Sequence, residues 1–455
     1  MNYLKICSSC FFSLFTIGIA GQNGLNPDSD YCDLPVIARE ALFVNVETAG
    51  TYTKGDYAPF WITSNNYGVG SERPKNGYVR TGLFGTKRLF DDKLDVSFGA
   101  DVLAGRNLTS TSSVYFQQLY ADFRYKILGL SIGAKERSAP FRNEDLSTGG
   151  LTLSRNSRPI PQVEAGFPEF VQAPYTNNWM QVQGGVSYGW FTDSKYKKRF
   201  AGDGFYSEGE LYHRKYAYFK FEKNTPWYFV FGAEMDTQWG GKFYDKRYPW
   251  NGYKYSSPTG LWDFFRVFIP MAGGDGANGT DIVNIQGEVH GSWHFIFNYK
   301  KGDYSIRPYY EHFFDDHSGM WLKNMPDGIY GLELNLNKKR PVSSVVLEYI
   351  HTKDQSGPFL WDENQNIPVQ VSAGDDYYNH VDYVSYAYYG LVLGNPLLTS
   401  PVYNNGRTLQ VLNNRISAFH GGLSGYLADN LQYRALLTYS RSWGAVELPA
   451  RKIRT

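Results

Sequence analysis

Cysteine is nearly absent from this chain: Cys7, Cys10 and Cys32 are the three among 455 residues. Helical patterning is equally scarce, since apolar residues almost never recur at three- and four-residue spacing after about residue 40. The one apolar run, Ile6 to Ala20, is too short to cross a bilayer as a helix. Neither sign of charge prevails, with 45 bases against 44 acids. Each shortage removes a class. One cysteine beyond an export leader permits no internal disulfide and no cysteine-based metal centre. Balanced charge without a basic stripe excludes a nucleic-acid partner. The lack of helical periodicity argues against an ordinary soluble enzyme.

What begins the chain is an address. MNYLK is a short basic start, Ile6 to Ala20 follows as an apolar stretch, and Gly18 and Ala20 suit a cleavage after Ala20. Residues 1–20 are therefore expected to leave as a signal peptide. Cys10 lacks the small-residue context of a lipid anchor. Cys7, Cys10 and Lys5 leave with the leader, so the exported chain is neutral and keeps Cys32 alone.

Aromatics are abundant, at 17% of residues with 37 Tyr, and glycine reaches 47. They occur in strict alternation. In LDVSFGADV, Leu94, Val96, Phe98, Ala100 and Val102 oppose Asp95, Ser97, Gly99 and Asp101. In WYFVFGAEM, Trp227, Phe229, Phe231, Ala233 and Met235 oppose Tyr228, Val230, Gly232 and Glu234. YGLELNL (330–336) and LQYRALLTY (431–439) repeat the pattern. Period-two segments of about ten residues with aromatic ends are the signature of an all-β, transmembrane antiparallel barrel of the outer-membrane type. A secreted β-sandwich also alternates, but with shorter strands.

Connections sort by length. Short polar turns fall at 89–93, 126–129, 222–226, 300–303, 337–341 and 427–430, and long excursions near 105–113, 137–158, 191–209, 239–281, 313–327 and 352–410. Between them run fifteen expected strands: 42–48, 77–88, 94–104, 114–125, 130–136, 159–167, 178–190, 210–221, 227–238, 282–299, 304–312, 328–336, 342–351, 411–426 and 431–442. Short turns face the periplasm and long loops face outside in such barrels. Direction alternates throughout if 168–177 is a longer periplasmic turn. The expected organisation is a leader (1–20), a periplasmic or plug segment with the first strand (21–76), and the barrel (77–455). An odd strand number breaks the even rule of bacterial barrels. The non-alternating tail GAVELPARKIRT therefore suggests that closing strands are missing beyond Trp443.

Several phrases, QQLYADFRYK, LSIGAKER, GGLTLSRNSRPIPQV, LYHRKYAYFKF, TQWGG, FFDDHSGMW, DGIYGLEL and GDDYYNH, resemble the Wzi-type capsule assembly proteins of Gram-negative outer membranes. The resemblance runs from about residue 40 to 443. It implies an eighteen-stranded barrel with periplasmic helical elements, in which case three strands are missing here. It also implies a lectin-like surface protein that binds exported capsular polysaccharide and organises it on the cell. No ligand-contact position of the family maps onto a motif here, so none is carried over.

The densest chemistry lies in EHFFDDHSGMW (311–321), leaving a strand top for an external loop. As a metal site, His312, Asp315, Asp316 and His317 match no ligand spacing, and no metal or other cofactor is expected. As catalytic carboxylates, adjacent acids cannot flank a glycosidic bond, because such pairs stand roughly 5–10 Å apart. No nucleophile–base phrase occurs elsewhere, and the chain is read as no enzyme. Acids that merely shape the loop are the bland reading; sugar contact by Asp315, Asp316 and Trp321 is the functional one. KFYDKRYPWNGYKY adds Tyr248, Trp250 and Tyr253, with Lys246 and Arg247 available to acidic sugars, and GDDYYNH adds Asp375, Asp376 and Tyr377. His213, His294 and His420 sit in strands and read as lumen or girdle residues.

Two functions remain open on the sequence. One is a polysaccharide-binding surface protein, whose partners are capsular or other surface glycan, outer-membrane lipid or lipopolysaccharide, and export machinery. The alternative is a porin or transport barrel, because the inward Asp95, Asp101, Asp122, Arg124, Glu234, Arg307, Glu333 and Arg434 are polar enough to line water. The same mixture of signs equally suits a lumen knitted shut by ion pairs.

Overall fold

The computed structural model describes residues 15–19 and 40–446, apart from 91–92, 138–140, 203, 248–251, 278–280, 283–284, 316, 337, 358–373 and 405–407. In chain order its strands begin with β1 (Phe15–Ile19), β2 (Glu40–Tyr52), β3 (Lys75–Leu89), β4 (Leu94–Arg106), β5 (Val114–Tyr125) and β6 (Leu128–Ala134). Next come β7 (Gln162–Gln172), β8 (Met180–Trp190), β9 (Phe205–Glu208), β10 (Leu211–Glu222), β11 (Trp227–Trp239), β12 (Gly241–Asp245) and β13 (Tyr253–Ser257). Then follow β14 (Glu288–Lys301), β15 (Tyr304–Phe314), β16 (Gly328–Leu336) and β17 (Ser344–His351). Two small ladders pair β18 (Asn379–His380) with β19 (Val384–Ser385) and β20 (Ala387–Tyr388) with β21 (Leu391–Val392). The last strands are β22 (Ile416–Ala428) and β23 (Leu431–Ser442); among the described residues four α-helices intervene, α1 (Phe60–Thr63), α2 (Ser194–Phe200), α3 (Leu261–Phe268) and α4 (His317–Met320), with a 3-10 turn at Pro401–Asn404.

Sixteen of these strands form one antiparallel sheet in chain order, passing over only β9, β12, β13 and the small ladders. All fifteen expected strands are in it, with most ends displaced by a few residues. The shift at β14 follows Gly287, whose φ of +89° turns the chain into the strand. In β7 the pairing skips from Phe167 to Val171, a bulge that accommodates Pro168, which cannot donate to a ladder. The sixteenth strand is β1, inside the expected leader, which lies along the outer edge of β2. Among the described residues β1 and β23, the two edges, do not pair with each other.

The alternation sets the two faces. On β11, Phe229, Phe231 and Ala233 stay partly exposed outside, while Val230, Gly232 and Glu234 are buried inside. Outside, rings form a belt across strands: Phe231 on Trp293 (5.7 Å, nearly parallel), Tyr310 on Tyr330 (4.6 Å) and Tyr349 on Phe419 (4.8 Å). Aromatic belts mark where barrel walls meet the membrane interface. No helix among the described residues is long and apolar enough to cross a membrane.

Inside, close approach is built with glycine. The Tyr218 ring lies over Gly232, where a Cβ would come within 2.1 Å of it, and Tyr309 lies over Gly331 in the same way. All eight inward charges expected from the sequence have a partner of opposite sign. Arg80 bonds both Asp101 (2.7 Å) and Glu136 (2.9 Å), Arg214 bonds Glu234 (2.6 Å), and Arg307 bonds Glu333 (2.7 Å).

Two excursions turn inward instead of outward. Residues 141–158 form a plug. Glu311 on β15 takes hydrogen bonds from the Leu151 amide (2.8 Å) and Ser292 (2.8 Å), and an ion pair from Arg142. Glu348 on β17 takes bonds from Ser147 (2.6 Å), the Thr148 amide (2.8 Å) and hydroxyl (2.7 Å), and Tyr309 (2.6 Å). His420 on β22 meets the Leu146 carbonyl at 2.7 Å. A loop inside a barrel must satisfy its backbone without water, and these carboxylates do so. Residues 374–415 form a lid over the plug, with Tyr377, Tyr378, Tyr386 and Tyr388 buried in the same core.

Of the segment 21–76, expected as a periplasmic or plug segment, the structure describes residues 40–76. Residues 53–74, with α1, lie at the long-loop end, because β2 and β3 are joined there and the short turn after β3 is at the other end. The segment packs on the lid and plug: Tyr57 donates to the Tyr403 carbonyl (3.2 Å), and the Tyr67 amide to Arg155 (2.5 Å). Trp61 reaches Thr438 of β23 at 3.1 Å, so the curled sheet brings its two ends onto one packed interior.

Candidate functional site

At the long-loop end a second, three-stranded sheet stands above the wall, ordered β13–β12–β9. Its chain path is set by Gly240 and Gly241, with φ of +69° and +92°, which turn the backbone sharply between β11 and β12. Alternation then gives it two faces. Phe243 is buried against Tyr255 (4.9 Å) and Tyr383 (5.2 Å) of the lid, anchoring one face.

On the other face the register aligns three tyrosines across the strands: Tyr206 with Tyr244, and Tyr244 with Tyr253. The first pair stacks at 4.9 Å and 9°, and the second meets edge-on at 5.8 Å. The row passes from buried Tyr206 through half-buried Tyr244 to Tyr253, which is 50% exposed. Cations border it. Lys242 is exposed on the adjoining row; Lys246 lies 5.7 Å from the Tyr206 ring and donates to the Lys198 and Gly202 carbonyls (both 2.8 Å). Arg247 forms a two-pronged bond with Asp245 (both 2.9 Å), which holds that carboxyl below its ordinary range, and its guanidinium stays open to solvent. Lys195, Lys198 and Arg199 of α2 are exposed nearby. Flat rings beside solvent-exposed cations suit a ligand with C–H faces and negative charge, although Lys242 stands opposite Glu208 in the register and Arg247 is bonded to Asp245.

The expected contact residues are divided by the fold. Tyr253 belongs to this platform, and Tyr248, Trp250 and Asp316 lie outside the described residues. Trp321 is 79% exposed on the loop between β15 and β16. Asp315 turns inward, 3.0 Å from His290. Asp376 accepts from Asn414 (2.7 Å) and Asn379 (3.1 Å), tying the lid together, and Asp375 beside it is half-buried. Tyr377 is fully buried; its hydroxyl donates to Asp327 (3.0 Å) and accepts from Asn324 (2.6 Å). It has no face to offer a polymer. The mid-loop position that suggests exposure is misleading here, because the lid folds back and each buried ring removes a large apolar area from water.

Tyr206 and Lys242 were not singled out by the sequence reading, although FYSE and GKFYD each alternate over a few residues. Inside the barrel, Glu234, His294 and Glu311 bring ligand atoms within 4.8 Å of one another. Each carboxylate there already faces a guanidinium, Arg214 or Arg142, so the donor set does not fit a cation. The adjoining crevice, about 330 Å³ including space open to solvent, is lined by the same arginines with Leu153 and Tyr218.

No protein-family model and no curated protein matches the sequence. Among solved structures the fold is similar to Wzi of Escherichia coli, described as an outer-membrane protein involved in group 1 capsule assembly and a carbohydrate-binding β-barrel. The match has a TM-score of 0.50 at 13% identity and covers 89% of this chain and 71% of that one. Porin variants of Rhodopseudomonas blastica also overlap, for example at a TM-score of 0.28 and 10% identity over 68% of this chain and 94% of theirs, too loosely to carry an argument. The chain is an outer-membrane β-barrel in fold; at this identity the likeness speaks for the fold alone.

Proposed function

We propose that this chain, exported with loss of its leader, is an outer-membrane lectin-like protein that binds an anionic surface polysaccharide, such as capsule, and holds it at the cell surface. The observation that carries this reading is the in-register tyrosine row of β9, β12 and β13 with exposed cations beside it. Sugar rings stack on Tyr244 and Tyr253, and carboxylates or phosphates on the polymer meet Lys242, Arg247 and the basic face of α2. Trp321 extends the contact surface in this proposal, and so do Tyr248 and Trp250, which follow β12 in the sequence and lie outside the described residues. Export machinery delivers the polymer. Binding, with no bond made or broken, is the activity.

The test is titration of an acidic capsular oligosaccharide, too short to bridge two molecules, against the reconstituted protein. Tyr253→Ala and Lys242→Glu are expected to weaken binding, and salt to weaken it further. Undiminished affinity in both variants rejects the platform. Transport of small solutes is disfavoured by the plug, whose carboxylate and arginine bonds cross the lumen.

A further inference from the structure

The outward face of β10 carries two residues that a lipid-facing wall should not. Tyr212, Arg214 and Tyr218 point into the barrel, where Asp236 and Glu234 receive the first two. His213 and Lys215, by alternation, point out. Yet His213 is fully buried, stacked on Tyr188 at 4.4 Å. The cover is α3. Tyr188 donates to the Phe264 carbonyl at 3.0 Å, and the Lys215 ammonium bonds the Val267 (3.3 Å) and Phe268 carbonyls at the helix C-terminus, where a cation is favourable.

This helix is apolar on both sides. Asp263 and Val267 face the barrel at 5% and 1% exposure, and Asp263 caps the Gly260 amide at 2.7 Å. Phe264 packs on Trp239 (4.8 Å) and Tyr188 (5.2 Å), and the Phe268 ring meets His213 at 6.0 Å. Leu261, Trp262 and Phe265 face away at 91%, 69% and 44% exposure. A helix bathed in water turns a polar face outward, and this one presents a leucine and two rings there instead.

Its height on the wall says what lies outside it. Lys215 is level with Met235 and Gly291; two residues toward the short-turn end, Ala233 pairs with Trp293, whose ring belongs to the aromatic belt. The helix C-terminus thus sits roughly 7 Å beyond Trp293, on the headgroup side of the interfacial layer that the belt marks, where an amphipathic helix dips its apolar face toward the acyl chains. The apolar wall that β10 lacks at His213 and Lys215 reappears one layer out, on the helix.

We propose that α3 is an interfacial helix whose Leu261–Trp262–Phe265 face is covered by acyl chains of the outer leaflet. It continues the lipid-facing surface of the barrel and shields a lysine and a histidine from that lipid. Because β13 ends at Ser257, four residues before Leu261, the helix also fixes the tyrosine platform at a set height above the membrane. The inference rests on membrane insertion and not on sugar binding, so its failure leaves the glycan reading intact.

The experiment uses the full chain with Cys7, Cys10 and Cys32 replaced by Ser, reconstituted in phosphatidylethanolamine–phosphatidylglycerol vesicles. A nitroxide is placed by Leu261→Cys or Phe265→Cys, with Lys242→Cys as the aqueous reference. Collision with oxygen is expected to exceed the reference, and collision with water-soluble nickel complex to fall by roughly fivefold, as for a site several ångströms into the interface. Leu261 makes little packing contact, so its label tests the idea even where Phe265→Cys disturbs the fold. Nickel access equal to that at 242 overturns the proposal, and so does spin–spin broadening at 261, which would place a second copy on this face.

Discussion

Arg142 of the plug and Glu348 of β17 face each other at 3.6 Å inside the barrel, and the same guanidinium is bonded to Glu311 of β15. All three are almost fully buried. The plug is therefore held by charge as well as by backbone hydrogen bonds, and its release leaves two carboxylates without a cation.

Arg142→Ala should then loosen the plug by about 3–5 kcal/mol, the usual cost of removing one partner of a buried ion pair. In planar bilayers wild type should be silent and the variant should show intermittent conductance. Steady open channels in wild type would contradict the plug and restore the transport reading.

Facing is tested on β11. Phe231 contacts Trp293 and Phe295 on the outer wall, so Phe231→Arg should cost about 2–4 kcal/mol of barrel stability in urea titrations in vesicles. Glu234 bonds Arg214 and His294 inside, in a packed lumen. Glu234→Gln leaves Arg214 with Asp236 alone and should cost about 1–3 kcal/mol. A harmless Phe231→Arg would show that this face does not meet lipid.

Tyr253 and Tyr377 separate contact from support. Tyr253→Ala should lower oligosaccharide affinity by about two- to twelvefold, the loss of one ring contact of about 0.5–1.5 kcal/mol, with stability unchanged. Tyr377→Ala empties a buried site and should destabilise the lid by about 3–5 kcal/mol, read as faster proteolysis between 374 and 415. The opposite pattern would place the binding surface in the lid.

Acid should loosen the lid through His380. Burial holds its pKa down to about 4, with neighbouring Asp382 pulling upward and His290 downward. Its Nδ1 accepts the Asp382 amide at 3.1 Å, a bond that protonation abolishes. A depressed histidine contributes stability above its unfolded pKa near 6.5, and that stability is lost as pH falls toward 4. Amide exchange in residues 379–384 should therefore accelerate between pH 6.5 and 4, and His380→Gln should flatten the dependence.

Strand facing was legible in the sequence because it is a local property. Period two in LDVSFGADV or WYFVFGAEM follows from the pleat, and turn lengths order the strands, so neither needs knowledge of distant contacts. The tyrosine platform was half legible: KFYDKRYPWNGYKY shows the rings and cations, but the pairing of Tyr206 with Tyr244 joins segments separated by a full hairpin of the wall, β10 and β11. The inward folding of 141–158 and 374–415 was decided by tertiary structure alone. A polar loop and a buried plug have the same local sequence, and what separates them is whether Glu311, Glu348 and His420 on remote strands stand ready to bond the loop's amides and carbonyls. For the same reason Tyr377 reads as a surface ring and is a core one, and His213 reads as a lumen or girdle residue but points outward beneath α3, beside Lys215. Alternation tells which way a side chain points; only the assembled molecule determines what it meets there.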